Sequence, residues 1–533
     1  MMLNVFLREG YLYKKSQLFS KCGYEDTADD KDAFKSMMTE LKRKRLIKSR
    51  RKKGSRESAD DDASLISEDD VEYDEYIGTE ENEIQYLFRF VGMIFFYDRV
   101  IYVYPKYIEL EEAESEESKK YLYEKMKQAL NVIRKHQGKV FSLDVPLMLE
   151  EVDKGEELTE LSIILFLISD YTENGLYCES EQIIELNGDG EILWGRTVEE
   201  YYPLIKDNSP FYFDVLTSRR KDNSMNYFVR LHKYILTDAS NQIEKTGITG
   251  LFSLPQIELS DSLIDEFGDI EYILNAIMNE IGNQFDDRKI AVLHAMYLYL
   301  KHKYSNDPLY TNKNDLGLSF FGTRSFHLVW EDVIDSVYVS HKKMTFGKIQ
   351  EKYNPTLDYY LQLPNGISRQ IEKSDALEDY IEKPEWYHRD SETSDYKLYL
   401  PSATFIPDYL RFSDDNDEFY ILDAKYYVPK WFVTGKNEYK IERQPGVEDV
   451  AKQYLYYFVF KELLDNNAID ITHVKNYFIM PTEDKDKDVG YVRIGFFEKI
   501  FSNIFKIRIK KLNASNLFDC YLQGTELDVS TIP

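Results

Sequence analysis

The segment Ala403–Tyr427 carries two apolar extended runs in succession, ATFIPDYLRF at Ala403–Phe412 and EFYILDAKYY at Glu418–Tyr427. Short runs rich in aromatic and branched residues, separated by a polar stretch, read as neighbouring strands. Side chains alternate along a strand, so Asp423 and Lys425 share one face. They interrupt a stretch that is otherwise Phe419, Tyr420, Ile421 and Leu422. A charge in such a strand is costly unless it is paired or put to use. Asp408 follows Pro407 in the first run, fifteen residues before Asp423. Other acid-x-Lys triplets, such as those that begin at Asp29, Glu117, Asp395, Glu438 and Glu483, lie in polar surroundings. A buried ion pair that only bridges two strands is the structural alternative.

The flanking sequence predicts a helix over Phe326–Val339 and another over Pro445–Leu464, with Pro445 at its start. Strand-like runs follow at Val474–Met480 and Val489–Phe497. The order α-β-β-α-β-β is a mixed α/β layer arrangement. Hydrolysis of a phosphodiester needs a held divalent cation, a positioned water and stabilisation of the extra charge on phosphorus. Two or three carboxylates suit Mg²⁺, and a lysine beside them can orient the water. The C-terminal run FKIRIKK (Phe505–Lys511) has one basic and one apolar face. It fits either a phosphate contact or an edge strand guarded by lysines.

Pro407-Asp408 followed by Asp423-Ala424-Lys425 resembles the PD-(D/E)xK nuclease superfamily, whose core has this element order. Gln453-x-x-x-Tyr457 resembles the QxxxY element of its RecB-like branch, and Trp330-Glu331 stands where many members carry a helical glutamate. The wider chain, from about residue 85, is similar to the LlaJI restriction endonuclease family, related to the McrC nuclease subunit. Phe90-Val91-Gly92, Val100–Lys106, Asp170–Tyr177, Trp330-Glu331, Leu422–Tyr427 and Gly446–Tyr454 carry that similarity. The resemblance implies that Asp408 and Asp423 coordinate Mg²⁺ with the Ala424 carbonyl and Glu331. It implies that Lys425 orients the attacking water and that Gln453 holds Lys425 or the scissile phosphate region. Tyr457 supports the same face. It further implies a Mg²⁺-dependent endonuclease of double-stranded DNA in a restriction system, acting with a McrB-like GTPase. A RecB-like repair nuclease, or a non-catalytic assembly subunit with a vestigial nuclease fold, are the alternatives. The charged insert described next is not a feature of that family.

At 533 residues the chain is long enough for two to four domains, at roughly 100–200 residues each. We expect a multidomain α/β protein with an α+β N-terminal region and a C-terminal restriction-endonuclease-like mixed sheet flanked by helices. The expected division is an N-terminal β-rich domain (1–115), a middle α+β domain (116–260) and a helical lead-in with the nuclease domain (261–533). Residues 42–56 hold ten basic and no acidic side chains, and residues 57–83 hold thirteen acidic and no basic ones. Such blocks stay solvated, so about 42–83 is expected to be a disordered insert. The basic run is open to three readings: contact with DNA phosphates, a nuclear signal, or a loop neutralised by the acidic stretch. A hairpin is expected around Tyr97-Asp98-Arg99 and helices over Ser118–His136, Glu157–Tyr171 and much of 262–304. Asn187-Gly188-Asp189-Gly190 reads as a turn between two strands, which permits a winged-helix-like module or, equally, an ordinary α+β scaffold.

The net charge of −28 argues against unaided nucleic-acid binding. Cys22, Cys178 and Cys520 form no CxxC pair, which fits free thiols in a reducing, cytoplasmic setting. The apolar run Leu161–Ile168 is far below the ~20 residues that span a bilayer, and no signal peptide is expected. His232, His294 and His327 read as structural histidines. The string Gly317–Arg324 lacks the lysine of a phosphate-binding loop and reads as an ordinary loop, so an NTPase motor would be a separate chain.

Overall fold

The computed structural model describes residues 3–51, 84–96, 99–110, 115–143, 160–178, 180–206, 209–222, 226–246, 252, 254–304, 318–359, 361–362, 368–369, 371–381, 386–388, 397–399, 406–413, 418–435, 438–495 and 506–533. The acidic block 57–83, the basic residues beyond Arg51, Tyr97-Asp98, three of the glutamates after Glu109, Ala403–Phe405, Gly317 and Phe505 lie outside them. The chain forms two compact units, Met1–His136 with Leu316–Pro533, and Gln137–Asp315.

The first unit begins with a four-stranded sheet of β1 (Leu3–Arg8), β2 (Val91–Phe96), β3 (Arg99–Tyr104) and β4 (Leu318–Thr323), in the order β1-β3-β2-β4. β1 runs parallel to β3; the other pairs are antiparallel. The expected hairpin is β2–β3. The apolar run before it is split, because Ile84–Phe88 belongs to a separate small sheet with Leu12–Lys14 and Ile47–Arg51. The string read as a loop at Gly317–Arg324 is instead β4. Its Gly322 stands opposite Gly92, and the Phe90 ring covers both. Part of the basic run is also folded. A helix over Ala28–Arg43 and the strand Ile47–Arg51 enclose Leu46 and Ile47, which are buried in the N-terminal core. Two apolar anchors thus order residues 42–51, where charge counting alone pointed to a solvated stretch.

The C-terminal part of this unit contains α2 (Phe326–Val337), β5 (Tyr409–Phe412), β6 (Phe419–Ala424), α3 (Val447–Asn466), β7 (Val474–Thr482), β8 (Lys487–Val492), β9 (Ile507–Asn513) and α4 (Ala514–Gln523); α1 (Glu116–Leu143) precedes them in the chain. The sheet order is β5-β6-β7-β9-β8. β6, β7 and β9 are parallel, and β5 and β8 close the edges antiparallel. Parallel neighbours need a crossover, which α3 supplies between β6 and β7. α3 packs Tyr457, Phe460, Leu463 and Leu464 with Phe419 and Ile421, and Val450 and Tyr454 with Phe478, Ile507 and Ile509. Each fully buried side chain of this size contributes about 1.5–3 kcal/mol. On α2, Trp330 is fully buried and meets Phe518 of α4 edge-on at 6.2 Å. The basic run near the C-terminus is no edge strand. β9 lies between β7 and β8, and its Lys510 is buried with its ammonium 2.8 Å from Asp488.

The second unit packs helices Glu160–Asn174, Tyr227–Thr246, Ile270–Asn283 and Asp287–Tyr304. It also has a sheet in which Ser180–Leu186 and Glu191–Ile192 lie on either side of Leu216–Asp222. The expected hairpin across Asn187–Gly190 is therefore absent. Asn187 adopts φ +56° and bonds Val215 and Asp214, which carries the chain past the end of the central strand. Among the described residues no helix is long and apolar enough to cross a membrane.

Candidate active site

The β5–β6 register decides the geometry. Tyr409 pairs with Leu422 and Leu410 with Ile421, so the next step places Asp408 across from Asp423. Asp408 Oδ2 accepts the Ala424 backbone N–H at 3.0 Å. Its own backbone is gripped by the segment after α2. Lys342 Nζ donates to the Asp408 carbonyl at 2.8 Å, and His341 N–H to Leu410 O at 2.7 Å. The Tyr338 carbonyl accepts from the Tyr409 hydroxyl at 2.8 Å and from Arg411 Nη1 at 2.6 Å.

Asp423 is only 5% exposed. Burial, then hydrogen bonding with Asp408 and its charge, holds its carboxyl well above the usual range, with Lys425 opposing. Lys425 Nζ lies 3.1 Å from Asp423 Oδ2 and 3.1 Å from Asp449 Oδ1. Burial disfavours this ammonium, but Asp423 and Asp449 outweigh it and lift its pKa above the ordinary value. The Ile479 carbonyl of β7 accepts the Lys425 backbone N–H at 2.8 Å and Trp330 Nε1–H at 3.1 Å, which ties α2 to the end of β6.

Glu331 follows Trp330 and turns toward the same charges. Burial and then Asp408 raise its carboxyl to about 7, against Lys425 and Lys342. Gln453 is fully buried. Its Nε2 donates to the Tyr477 carbonyl at 3.4 Å, and its Oε1 has no hydrogen-bond partner. Tyr457 sits in the α3 core with Phe460 and Leu463. The neighbouring Tyr456 is the aromatic that senses the site. Burial, then Asp423 and Asp408, raise its hydroxyl pKa, and that hydroxyl donates to Ile406 O at 3.3 Å.

Sequence reasoning missed Asp449 and Lys342, and read His327 as structural. His327 precedes Glu331 by one helical turn. The side chain is exposed, but crowding by its neighbours and then Lys106 lower its imidazole pKa, and Asp408 and Lys425 are among the charges it feels. The helical spacing of His327 and Glu331 was the available signal; nothing in the sequence links Asp449 or Lys342 to the Asp-x-Lys strand. The N-terminal strands reach the same place. Tyr426, next after Lys425, donates its hydroxyl to Glu9 at 2.6 Å and accepts the Lys106 backbone N–H at 3.1 Å. The Lys106 ammonium lies 4.4 Å from the Tyr426 ring centre.

A buried Asp423 and a half-buried Asp408, beside the Ala424 backbone and the Lys425 ammonium, form a hard oxygen donor set of the kind Mg²⁺ takes. Among the described residues no group of three or more His, Cys, Asp or Glu side chains is arranged to hold a metal ion.

Comparison with known proteins shows what the chain is similar to. A relative described as the type II restriction enzyme BsuMI component YdjA, from Bacillus subtilis (strain 168), is 26% identical over 454 residues, 84% of this chain and 83% of the relative. A solved half-complex from a tetradecameric assembly of Thermococcus gammatolerans McrB AAA+ hexamers with bound McrC aligns over 98% of this chain and 99% of that chain. Its identity is 13% and its TM-score 0.31, too low to argue from. The profile of the LlaJI restriction endonuclease family matches residues 90–357 and 358–510, which spans β2 through most of β9 and includes Asp408, Asp423, Lys425 and Gln453. That match takes in most of the chain, and the chain belongs to the LlaJI restriction endonuclease family.

Proposed function

We propose that this chain is the nuclease subunit of a restriction system and hydrolyses phosphodiester bonds of double-stranded DNA with Mg²⁺. The observation that carries the reading is the register that sets Asp408 against Asp423 with the Lys425 ammonium 3.1 Å away. Asp408 and Asp423 would hold the cation with the Ala424 backbone, and Glu331 is the further carboxylate within reach of their field. Bound there, Mg²⁺ would polarise the phosphate and acidify a water. Lys425 keeps its proton, so it acts as an orienting donor and as a positive charge beside the phosphate, not as a base. Gln453 braces β7 through Tyr477, and Tyr457 stabilises α3 from the core side.

The chain carries no GxxxxGK[ST] string. Nucleotide hydrolysis, if the system uses it, belongs to a separate subunit. The McrC resemblance suggests a McrB-like GTPase, and the Bacillus relative is itself described as a component. The test is Asp423→Ala and Lys425→Ala, assayed for Mg²⁺-dependent cleavage with the candidate GTPase supplied. Cleavage is lost while the thermal melt is retained. Unchanged cleavage in either variant would sink the site assignment. Cutting of closed-circular DNA separates this reading from an end-processing repair nuclease, which requires free ends.

A further inference from the structure

The motif strand supplies only one of the two carboxylates that hold Lys425. The other, Asp449, comes from the first turn of α3. Its two oxygens have separate partners: Oδ1 stands 3.1 Å from Lys425 Nζ, and Oδ2 accepts the Gly446 backbone N–H at 3.2 Å. The cap bond fixes the carboxylate's rotamer, so the helix start aims a charge at the end of β6. The Asp449 side chain is 19% and the Lys425 side chain 20% exposed, so water screens the pair weakly. Gln453, one turn along α3, is turned to Tyr477 and leaves this task to Asp449. A lysine has a flexible four-carbon stem and a rotatable head. Two carboxylates on different elements reduce that freedom to one position, whereas Asp423 alone would let the head swing.

We infer that Asp449 is a positioning residue of this site, holding the Lys425 ammonium beside Asp423; this rests on the reading of Asp408, Asp423 and Lys425 as the hydrolytic set. The competing explanation is that Asp449 only caps α3. Asn separates the two, because its side-chain oxygen still accepts the Gly446 N–H while it offers Lys425 no negative charge. Glu keeps the charge on a longer stem.

The experiment uses the full chain with its GTPase partner, Mg²⁺ and closed-circular DNA, and compares Asp449→Asn, Asp449→Glu and Asp423→Ala with the wild type. Asp449→Asn lowers kcat roughly 10- to 100-fold, the range expected when a hydrogen bond to a charged group is lost. KM for DNA and the melting temperature stay at wild-type values, and Asp449→Glu recovers part of the loss. The inference is overturned if Asp449→Asn keeps wild-type kcat while Asp423→Ala is inactive. It is overturned equally if Asn and Glu are equally impaired and both melt lower, the pattern of a cap alone. Cleavage by Asp423→Ala overturns both this inference and the reading beneath it.

Discussion

Four carboxylates, Asp408, Asp423, Asp449 and Glu331, gather with one ammonium near the end of β6, and burial raises the carboxyls of Asp423 and Glu331. Glu331 shows it most directly. Its carboxyl stands at about 7 in the folded chain, raised by burial and then by Asp408. An unfolded glutamate titrates near ~4.3. The folded state therefore binds this proton more tightly than the unfolded state does. The stability it contributes is full below the unfolded value and is lost as pH rises to about 7. Glu331→Gln should match the wild type near pH 4 and be more stable above pH 7, by about 1–3 kcal/mol. Denaturant melts across pH without divalent cation check this; a pH-independent difference would remove the titration from the account. At this scale the Asp423–Lys425 pair was legible because an apolar strand makes its charges conspicuous. Asp449 was not, since an acidic residue in a first helical turn is ordinary on its own.

Strand pairing shows where element-level reading works and where it stops. β2 and β3 were legible as a hairpin because both are short, apolar and adjacent. β4 was not, because its partner β2 is far away in the chain and its glycine resembled a loop signal. Gly322 and Gly92 face each other under the Phe90 ring, with φ +155° and +156°. A Cβ on Gly92 would come 2.2 Å from the Phe321 carbonyl oxygen and 2.6 Å from Gly322 Cα. Backbone atoms cannot move aside as a flexible side chain can. Gly92→Ala should destabilise the first unit by about 2 kcal/mol or more, and Gly322→Ala should do the same. Urea denaturation measures it, and a wild-type midpoint in either variant contradicts the close strand approach. The β9 run failed as an edge strand for a related reason. Alternating basic and apolar residues describe two faces, and only the neighbours β7 and β8 show that Lys510 is enclosed with Asp488.

For the whole molecule, the −28 charge is unevenly distributed. The block 57–83 holds thirteen acidic residues, whereas 401–533 holds 17 Lys+Arg against 21 Asp+Glu, close to neutral. The acidity thus sits mostly away from the candidate site in sequence, and it does not exclude DNA as the substrate. It does oppose unaided binding. The isolated chain should bind nonspecific duplex weakly at physiological salt, and affinity should rise steeply as salt is lowered. Titration by fluorescence anisotropy tests this, and tight salt-insensitive binding would contradict it. By itself the sequence determined the α-β-β-α-β-β order, the apolar strand that makes Asp423 and Lys425 conspicuous, and the family resemblance, because periodicity and residue type are local properties of a strand or helix. Only the tertiary structure decided the rest. The register put Asp408 against Asp423, α3 brought Asp449 to Lys425, and the segment after α2 brought Lys342 to Asp408. Those meetings depend on pairing and packing between segments distant along the chain, and no local pattern encodes which of many acidic and basic residues will be neighbours.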